Sequence, residues 1–482
     1  MTDPSTEDDV GARRRSGAVG ILGPALLAVV CGTAYAAVSL LRFRRFETPS
    51  WDNAIFEQAI AAYSRLEAPI VDIKAPGYNI LGDHFSPVTA LVAPFYRVFP
   101  DGRTLLVAQA VLIALSVWVI ARGAVRLLGS AAGLAVGLAY GVSFGIASAV
   151  WVDFHEVAFA AVFLALSGVA YLERRWWTAA AWSLPLLLVK EDLGLTVLAV
   201  GIVLALSGAR RIGAATAVIG LCGFALTLLV VIPSFNPGGG YDYVGVIGAG
   251  GEGGPGPWAT FWAGWDLKLP TLIATFGVTG FLALRSPWVL VAGPTLLWRF
   301  VGDNEYYWGT DWHYGLVIMP IVFVAMLDAI ARLRAAEEAE ERSRWTWASP
   351  TWLRRYATHV PALVAGVALA LVSQFPLARL AEAETYEASP RAAAAEEVLA
   401  LVPEGAKVET DIGLITHLTS DRTVYWTGTV GDAVPDWMVI DAFTSWGGQA
   451  PDAAAYARER HPGTSWETVL DRDGYQVARR ID

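Results

Sequence analysis

The sequence predicts a polytopic α-helical membrane protein with a small α/β domain at its C-terminal end. Three observations carry that expectation. Of 482 residues, 55% are hydrophobic and only 17% charged, against roughly 25% charged in an average soluble domain. The mean hydropathy is +0.46, and the apolar residues fall in uninterrupted runs rather than at amphipathic spacing. After residue 376 the long runs stop and short strand-like segments replace them.

The same numbers exclude several classes. So little charge rules out a soluble cytosolic enzyme and a disordered chain. A net charge of −10 rules out a nucleic-acid binder. Cys31 and Cys222 both sit in apolar runs, so neither a disulfide framework nor a cysteine metal site is available. Lys74, Lys190, Lys268 and Lys407 are the only lysines among 35 basic residues. With so much Ala, Gly and Arg, that points to a GC-rich bacterial genome, as in actinobacteria.

A helix needs roughly 20 apolar residues to cross the hydrocarbon. Hydropathy places about eleven spans, at 17–40, 104–122, 128–150, 156–173, 177–191, 193–208, 212–234, 269–284, 287–301, 314–333 and 359–376. Arg13, Arg14 and Arg15 precede the first, so residues 1–16 form a cytoplasmic tail. Arg122 and Arg126, Arg174 and Arg175, Arg210 and Arg211, and the charged loop 332–357 fall on the same side. Arg42, Arg44 and Arg45 break the pattern. The transmembrane domain covers 17–376, with a large first outer loop at 41–103. Residues 377–482 follow as an extracytoplasmic α/β domain, with a helix at Arg391–Leu401 and strands starting at Val408, Val424 and Trp437. The expected location is a bacterial plasma membrane.

Polar residues gather in the loops assigned to the outer side. The first loop gives Trp51-Asp52-Asn53, a helix-like stretch to Leu66, then Gly82-Asp83-His84-Phe85-Ser86-Pro87. The second gives Trp151, Asp153, His155 and Glu156, and another gives Lys190-Glu191-Asp192 between runs with no spare apolar length. A later loop runs from Gly302 to Tyr307 and on to His313 and Tyr314. Charges at membrane depth cost about 2.5–3.5 kcal/mol each on insertion scales, so they tend to line cavities or pathways. A plainer reading competes at each position. Asp52 would cap a helix over 53–65, and Asp153 with Glu156 would form a capping box. His84 would be a surface residue before a helix started by Ser86 and Pro87. The lysine triplet would pair within itself. Independent caps do not predict recurrence on one face.

Acids and histidines from three loops suit a divalent cation, Mg or Mn for carboxylates and Zn for imidazole, although no spacing is diagnostic. Gly248, Gly250 and Gly253 spell a dinucleotide fingerprint, but no strand precedes it, so it reads as a flexible loop. Neither a Walker A motif, a nucleophile elbow nor a His-Glu-x-x-His zinc motif occurs.

Taken in order, Asp52…Phe56…Gln58, Gly82-Asp83-His84-Phe85-Ser86-Pro87, Asp153-Phe154-His155-Glu156, Lys190-Glu191-Asp192 and His313-Tyr314 resemble a bacterial and archaeal family of predicted membrane proteins of unknown function. The likeness spans roughly 40–440 and includes Val402-Pro403-Glu404-Gly405 and Thr416-His417-Leu418. That family is itself similar to the glycosyltransferase C superfamily, whose members carry an essential acid near the start of a large first outer loop. Many of them place two adjacent acids there, whereas Asn53 follows Asp52 here. The resemblance implies a glycosyltransferase-C-like fold, a polyprenyl-phosphate-sugar donor in the bilayer, and an envelope glycan or lipid as acceptor. It implies inverting transfer with Asp52 as general base. His84, Asp153, His155 and Glu156 complete the catalytic set. Lys190, backed by Arg299 and His313, would meet the leaving phosphate. Asp83, Glu191, Asp192 and Tyr314 would bind substrate.

A transporter or lipid-linked-sugar flippase is the competing class, with the acids and histidines as relay or gate. Polar groups near one face and the lack of an internal repeat count against it. A non-catalytic scaffold for envelope assembly is the third.

Overall fold

The computed structural model describes residues 4–243, 256–342 and 350–482. Gly248, Gly250, Gly253 and residues 343–349 of the charged loop 332–357 lie outside them. Among the described residues, six helices are long and apolar enough to cross a membrane. They are Leu22–Arg44, Arg103–Leu128, Ser130–Trp151, Arg210–Phe235, Gly315–Ala336 and Thr351–Gln374. The first belongs to a longer helix, α1 (Pro4–Arg44).

The other five expected spans also contain helix, but shorter or broken. Val157–Leu172 and Leu193–Leu206 have 16 and 14 residues. At 1.5 Å per residue these fall short of the roughly 30 Å hydrocarbon. Trp176–Ser183 tightens into a 3₁₀ turn at Leu184–Leu188, and Trp265–Gly277 stops before Leu282–Arg285. Hydropathy adds apolar residues across such breaks and so overstates helix length.

Gly315–Arg342 runs through the middle of the bundle. Ile318, Met319, Ile321, Val322 and Phe323 are fully buried, as a helix apolar on all sides requires. Small residues bring neighbouring helices together. A Cβ on Gly201 would lie 2.3 Å from the Ala217 nitrogen, so Leu193–Leu206 and Arg210–Leu226 meet backbone to backbone there.

Helix α2 (Trp51–Ser64) opens the first long loop. Its N-cap is Ser50, whose hydroxyl accepts from the Asn53 N–H at 3.1 Å. Asp52 is therefore not the cap. The C-terminal domain carries one five-stranded sheet in the order β2-β1-β3-β5-β4. Its strands are β1 (Lys407–Thr410), β2 (Thr423–Trp426), β3 (Trp437–Asp441), β4 (Trp466–Arg472) and β5 (Tyr475–Arg480). β1 pairs in parallel with β2 and β3, and β5 is antiparallel to β3 and β4. The β4–β5 hairpin was not among the expected strands. Its turn is Asp473-Gly474, both with positive φ (50° and 82°), the dipeptide that two-residue hairpins prefer.

The first loop and the sheet share one core. Ala54, Ile55 and Ala59 of α2 pack with Val398, Val408, Leu414 and Val439. Gln58 ties them further, donating to the Val424 carbonyl at 3.0 Å and accepting from the Ile73 N–H at 3.1 Å.

The arginines that break the charge pattern have structural employment. Arg42 and Arg45 are buried, at 6% and 3% exposure. Arg42 donates to the Trp151 carbonyl at 2.8 Å and pairs with Asp153 at 3.2 Å. Arg45 donates to the carbonyls of Glu384 and Glu387, and Arg44 to that of Tyr386. Together they tie the end of α1 to the segment leading into the C-terminal domain. A charge bound inside the protein says nothing about which side of the bilayer its loop occupies.

Candidate active site

Four loops converge on Asp52. Its Oδ2 lies 3.3 Å from Nε2 of His155, and the His155 ring stacks on that of His313 with centroids 3.7 Å apart. The Asp52 side chain is 49% exposed while that of His155 is 3% exposed, so the carboxylate opens on one side and is backed on the other. Phe56, one turn along α2, presents its edge to Phe154 and His155.

The backing is built by the chain from Trp151 to Glu156. The helix Phe144–Trp151 ends, and Asp153 turns the chain at φ 68°, a left-handed value that Asp tolerates better than most residues. Gln109, buried within the Arg103–Leu128 helix, grips that turn. It donates to the carbonyls of Ala149 and Asp153 at 3.2 and 2.7 Å and accepts from the His155 N–H at 2.9 Å. Arg42 holds the Asp153 carboxylate and lies 3.9 Å over the Trp151 ring. The expected capping box is absent. Glu156 itself occupies the N-cap position of Val157–Leu172, with no side-chain cap bond, and its carboxylate pairs with Lys190 at 3.0 Å.

The remaining candidates surround this centre. His84 Nδ1 lies 2.8 Å from Glu191, which also accepts from the Phe85 N–H and the Tyr241 hydroxyl. Asp83 pairs with Lys74 at 3.0 Å. Asp192 starts the Leu193–Leu206 helix, its Oδ1 buried and unpartnered among the described residues. Arg299 donates to the carbonyls of Tyr307 and Gly309 at 2.7 and 2.5 Å, so it fixes the loop that presents His313 and Tyr314. Ser86 and Pro87 do start a 3₁₀ turn, as the plainer reading of His84 required, but His84 is paired to another loop.

The charges act on one another. Burial raises the Asp52 carboxyl, but contact with His155 and the charges of Lys190 and His84 outweigh it, holding its pKa below the ordinary value. Burial opposes the charged form of His155, and Asp52 and Glu156 reverse that, raising its pKa. Burial, then the charges on His155 and Lys190, drive His313 far down. Of the two stacked rings, His155 is thus the one whose charged form is favoured and His313 the one held neutral. Burial pushes Asp153 up to about 6 despite Arg42, and Asp192 up to about 6 despite Lys190. Glu191, buried but facing His84 and Lys190, falls to about 2.

Neither nitrogen of His313 has a partner among the described residues, although the side chain is 8% exposed. Among those residues no group of three or more His, Cys, Asp or Glu is placed to hold a metal ion. What the arrangement offers is an ionised carboxylate with one open face, cations within electrostatic reach, and an unpaired imidazole beside it.

Sequence reasoning missed Gln109 and Arg42. Gln109 is the one amide in the apolar run 104–122, the kind of intramembrane polar residue that marks function. Arg42 announced itself as the exception to the charge pattern.

Residues 42–477 match the model of a family described as Predicted membrane protein (DUF2079). Among solved structures, the chain is similar to the crystal structure of ArnT from Cupriavidus metallidurans bound to undecaprenyl phosphate. The identity is 16%, over 94% of this chain and 97% of that chain, with a TM-score of 0.48. No curated protein matches.

Proposed function

The chain belongs to this family of predicted membrane proteins, and from that premise we propose that it is a membrane glycosyltransferase. It moves a sugar from a polyprenyl-phosphate donor to a cell-envelope acceptor at the outer face of the membrane. The supporting observation is the Asp52 carboxylate, ionised, 49% exposed and braced from behind by His155. A base must be within reach of the proton it takes and in the right protonation state; the lowered pKa supports the second, and the open face of the carboxylate leaves room for an acceptor hydroxyl to come within reach.

In the step, the acceptor hydroxyl oxygen bonds to the anomeric carbon and its proton passes to Asp52. The bond from that carbon to the phosphate oxygen breaks, and the phosphate leaves on its lipid with inverted configuration at the sugar. Lys190 faces the charge that develops there. Its ammonium pairs with Glu156 at 3.0 Å and carries three N–H donors, enough to serve phosphate oxygens as well. His313 supplies an uncharged hydrogen bond to a sugar hydroxyl. Arg299, Gln109 and Arg42 hold the loops that carry these groups, since orientation supplies much of the barrier reduction.

Native mass spectrometry of the full-length protein, wild type beside Asp52→Asn, tests the proposal. A polyprenyl-phosphate-sugar mass enriched in the variant, which binds but does not turn over, is the expected result. Wild-type transfer activity in Asp52→Asn would remove Asp52 as the base.

A further inference from the structure

The motif Thr416-His417-Leu418 plays no part in the site around Asp52. It lies instead against a separate cavity of about 580 Å³, between the end of α1, the start of the Arg103–Leu128 helix and the C-terminal domain. One wall is the stripe Ala37, Leu40 and Leu41, which continues along the same face of α1 to Arg44. The mouth carries Arg44, Arg103, Asp101 and Glu396. His417 is wedged between Phe43 and Phe46, with ring centroids 4.0 and 4.6 Å away, and its Nε2 is buried without a partner among the described residues. Burial pushes its pKa down to about 3, so the ring is neutral.

We propose that this cavity binds a zwitterionic glycerophospholipid of the ethanolamine type. Its wall is apolar where the helix spans the membrane, and its mouth is ionic where the span ends, matching an acyl chain below a headgroup. Two arginines and two carboxylates make the mouth neutral overall. A phosphodiester meets Arg44 and Arg103, its ammonium meets Glu396, and His417 Nε2 gains a hydrogen-bond partner at the glycerol or phosphate. A singly anionic headgroup or a polyprenyl phosphate would meet the same arginines but leave Glu396 unpaired and repelling. The Asp101–Arg103 pair, at 2.8 Å, fixes the second arginine beside the cavity. The bound lipid sits between α1 and the C-terminal domain and fastens one to the other.

The test uses full-length protein released from bilayers of equal phosphatidylethanolamine and phosphatidylglycerol, with lipid adducts read by native mass spectrometry. Wild type retains ethanolamine lipid over glycerol lipid by about fivefold, the upper end for one partly exposed ion pair. Leu40→Trp fills the cavity and removes the adduct. Glu396→Gln, on an exposed side chain with no packing role, brings the two lipids to parity and covers the event that Leu40→Trp does not fold. Equal retention of both lipids by wild type, or a ratio unmoved by Glu396→Gln, overturns the headgroup assignment. An adduct undiminished in folded Leu40→Trp overturns the site. A polyprenyl phosphate added to the bilayer does not displace the adduct; if it does, the cavity belongs to that lipid. None of these outcomes depends on Asp52 being a base.

Discussion

Gln109→Leu isolates the bracing of the active site from its chemistry. The substitution is close in volume and apolar, so the Arg103–Leu128 helix accepts it, but three hydrogen bonds at 2.7, 2.9 and 3.2 Å are lost. They differ in consequence. The His155 N–H has no other acceptor among the described residues, so it stays buried and unsatisfied at a cost of about 1–3 kcal/mol. The Asp153 carbonyl keeps its contact with His155 Nδ1 at 3.2 Å and loses less. With the Ala149 carbonyl included, the sum is about 3 kcal/mol, or roughly a hundredfold in the folded ratio. Part of that loss appears as motion of the 153–155 turn, which carries the His155 ring away from Asp52. The transfer rate at saturating donor therefore drops while the donor KM stays near wild type, and the unfolding midpoint in detergent, followed by tryptophan fluorescence, moves down. Gln109→Glu keeps an acceptor for His155 N–H but sets the second oxygen against two carbonyls, so it recovers only part of the loss. If Gln109→Leu unfolds and turns over like wild type, the idea that this amide holds the site is wrong.

Arg42→Met should cost about 3–5 kcal/mol, because it leaves the Asp153 carboxylate buried without its partner. Asp153 titrates at about 6 even with Arg42 present, so the variant escapes much of the penalty by protonation in acid. The gap from wild type in a denaturation series should widen as pH rises past 6, and a gap independent of pH would contradict the pairing. The Asp52–His155 contact gives a second pH signature. Asp52 is depressed below 3.8, so its stabilising share is complete above that value and lost as pH falls through the folded pKa. His155 is raised above 6.5, so its share is complete below that value and lost as pH rises through the folded pKa. Turnover should hold through the mildly acid range and decline on the alkaline side, and the residual activity of His155→Gln should lack that alkaline limb. A limb that persists in the variant belongs to another group.

Much of the polar centre was legible because charge in an apolar chain is conspicuous. Asp52, His155, Lys190 and His84 stand out in loops between long runs, and the last three do act on the carboxylate of the first. Their partners were less legible, since pairing depends on three-dimensional approach: Glu156 reads locally as a cap but serves Lys190, and Arg299 reads as a phosphate ligand but binds the carbonyls of Tyr307 and Gly309. Helix length was less legible, because hydropathy runs on across the break where Trp176–Ser183 gives way to the 3₁₀ turn at Leu184–Leu188 around Pro185. The β4–β5 hairpin went unseen although Asp473-Gly474 marks its turn, because β4 does not alternate in burial and its register shifts between Thr468 and Leu470.

The core shared by α2 and the sheet has a temporal side. Ala54 and Ile55 are synthesised early, yet most of the core they join, beyond Val71, Ile73 and Ile80 of their own loop, lies between Ala394 and Val477, and the Gln58–Val424 bond closes a loop of 366 residues. The earliest loop of the chain is therefore among the last pieces to settle, after every intervening helix has been inserted. Asp52 rides on that loop. A chain stopped or misinserted partway holds its carboxylate on an unfinished helix, and the candidate site is complete only once residues 394–477 have folded against it.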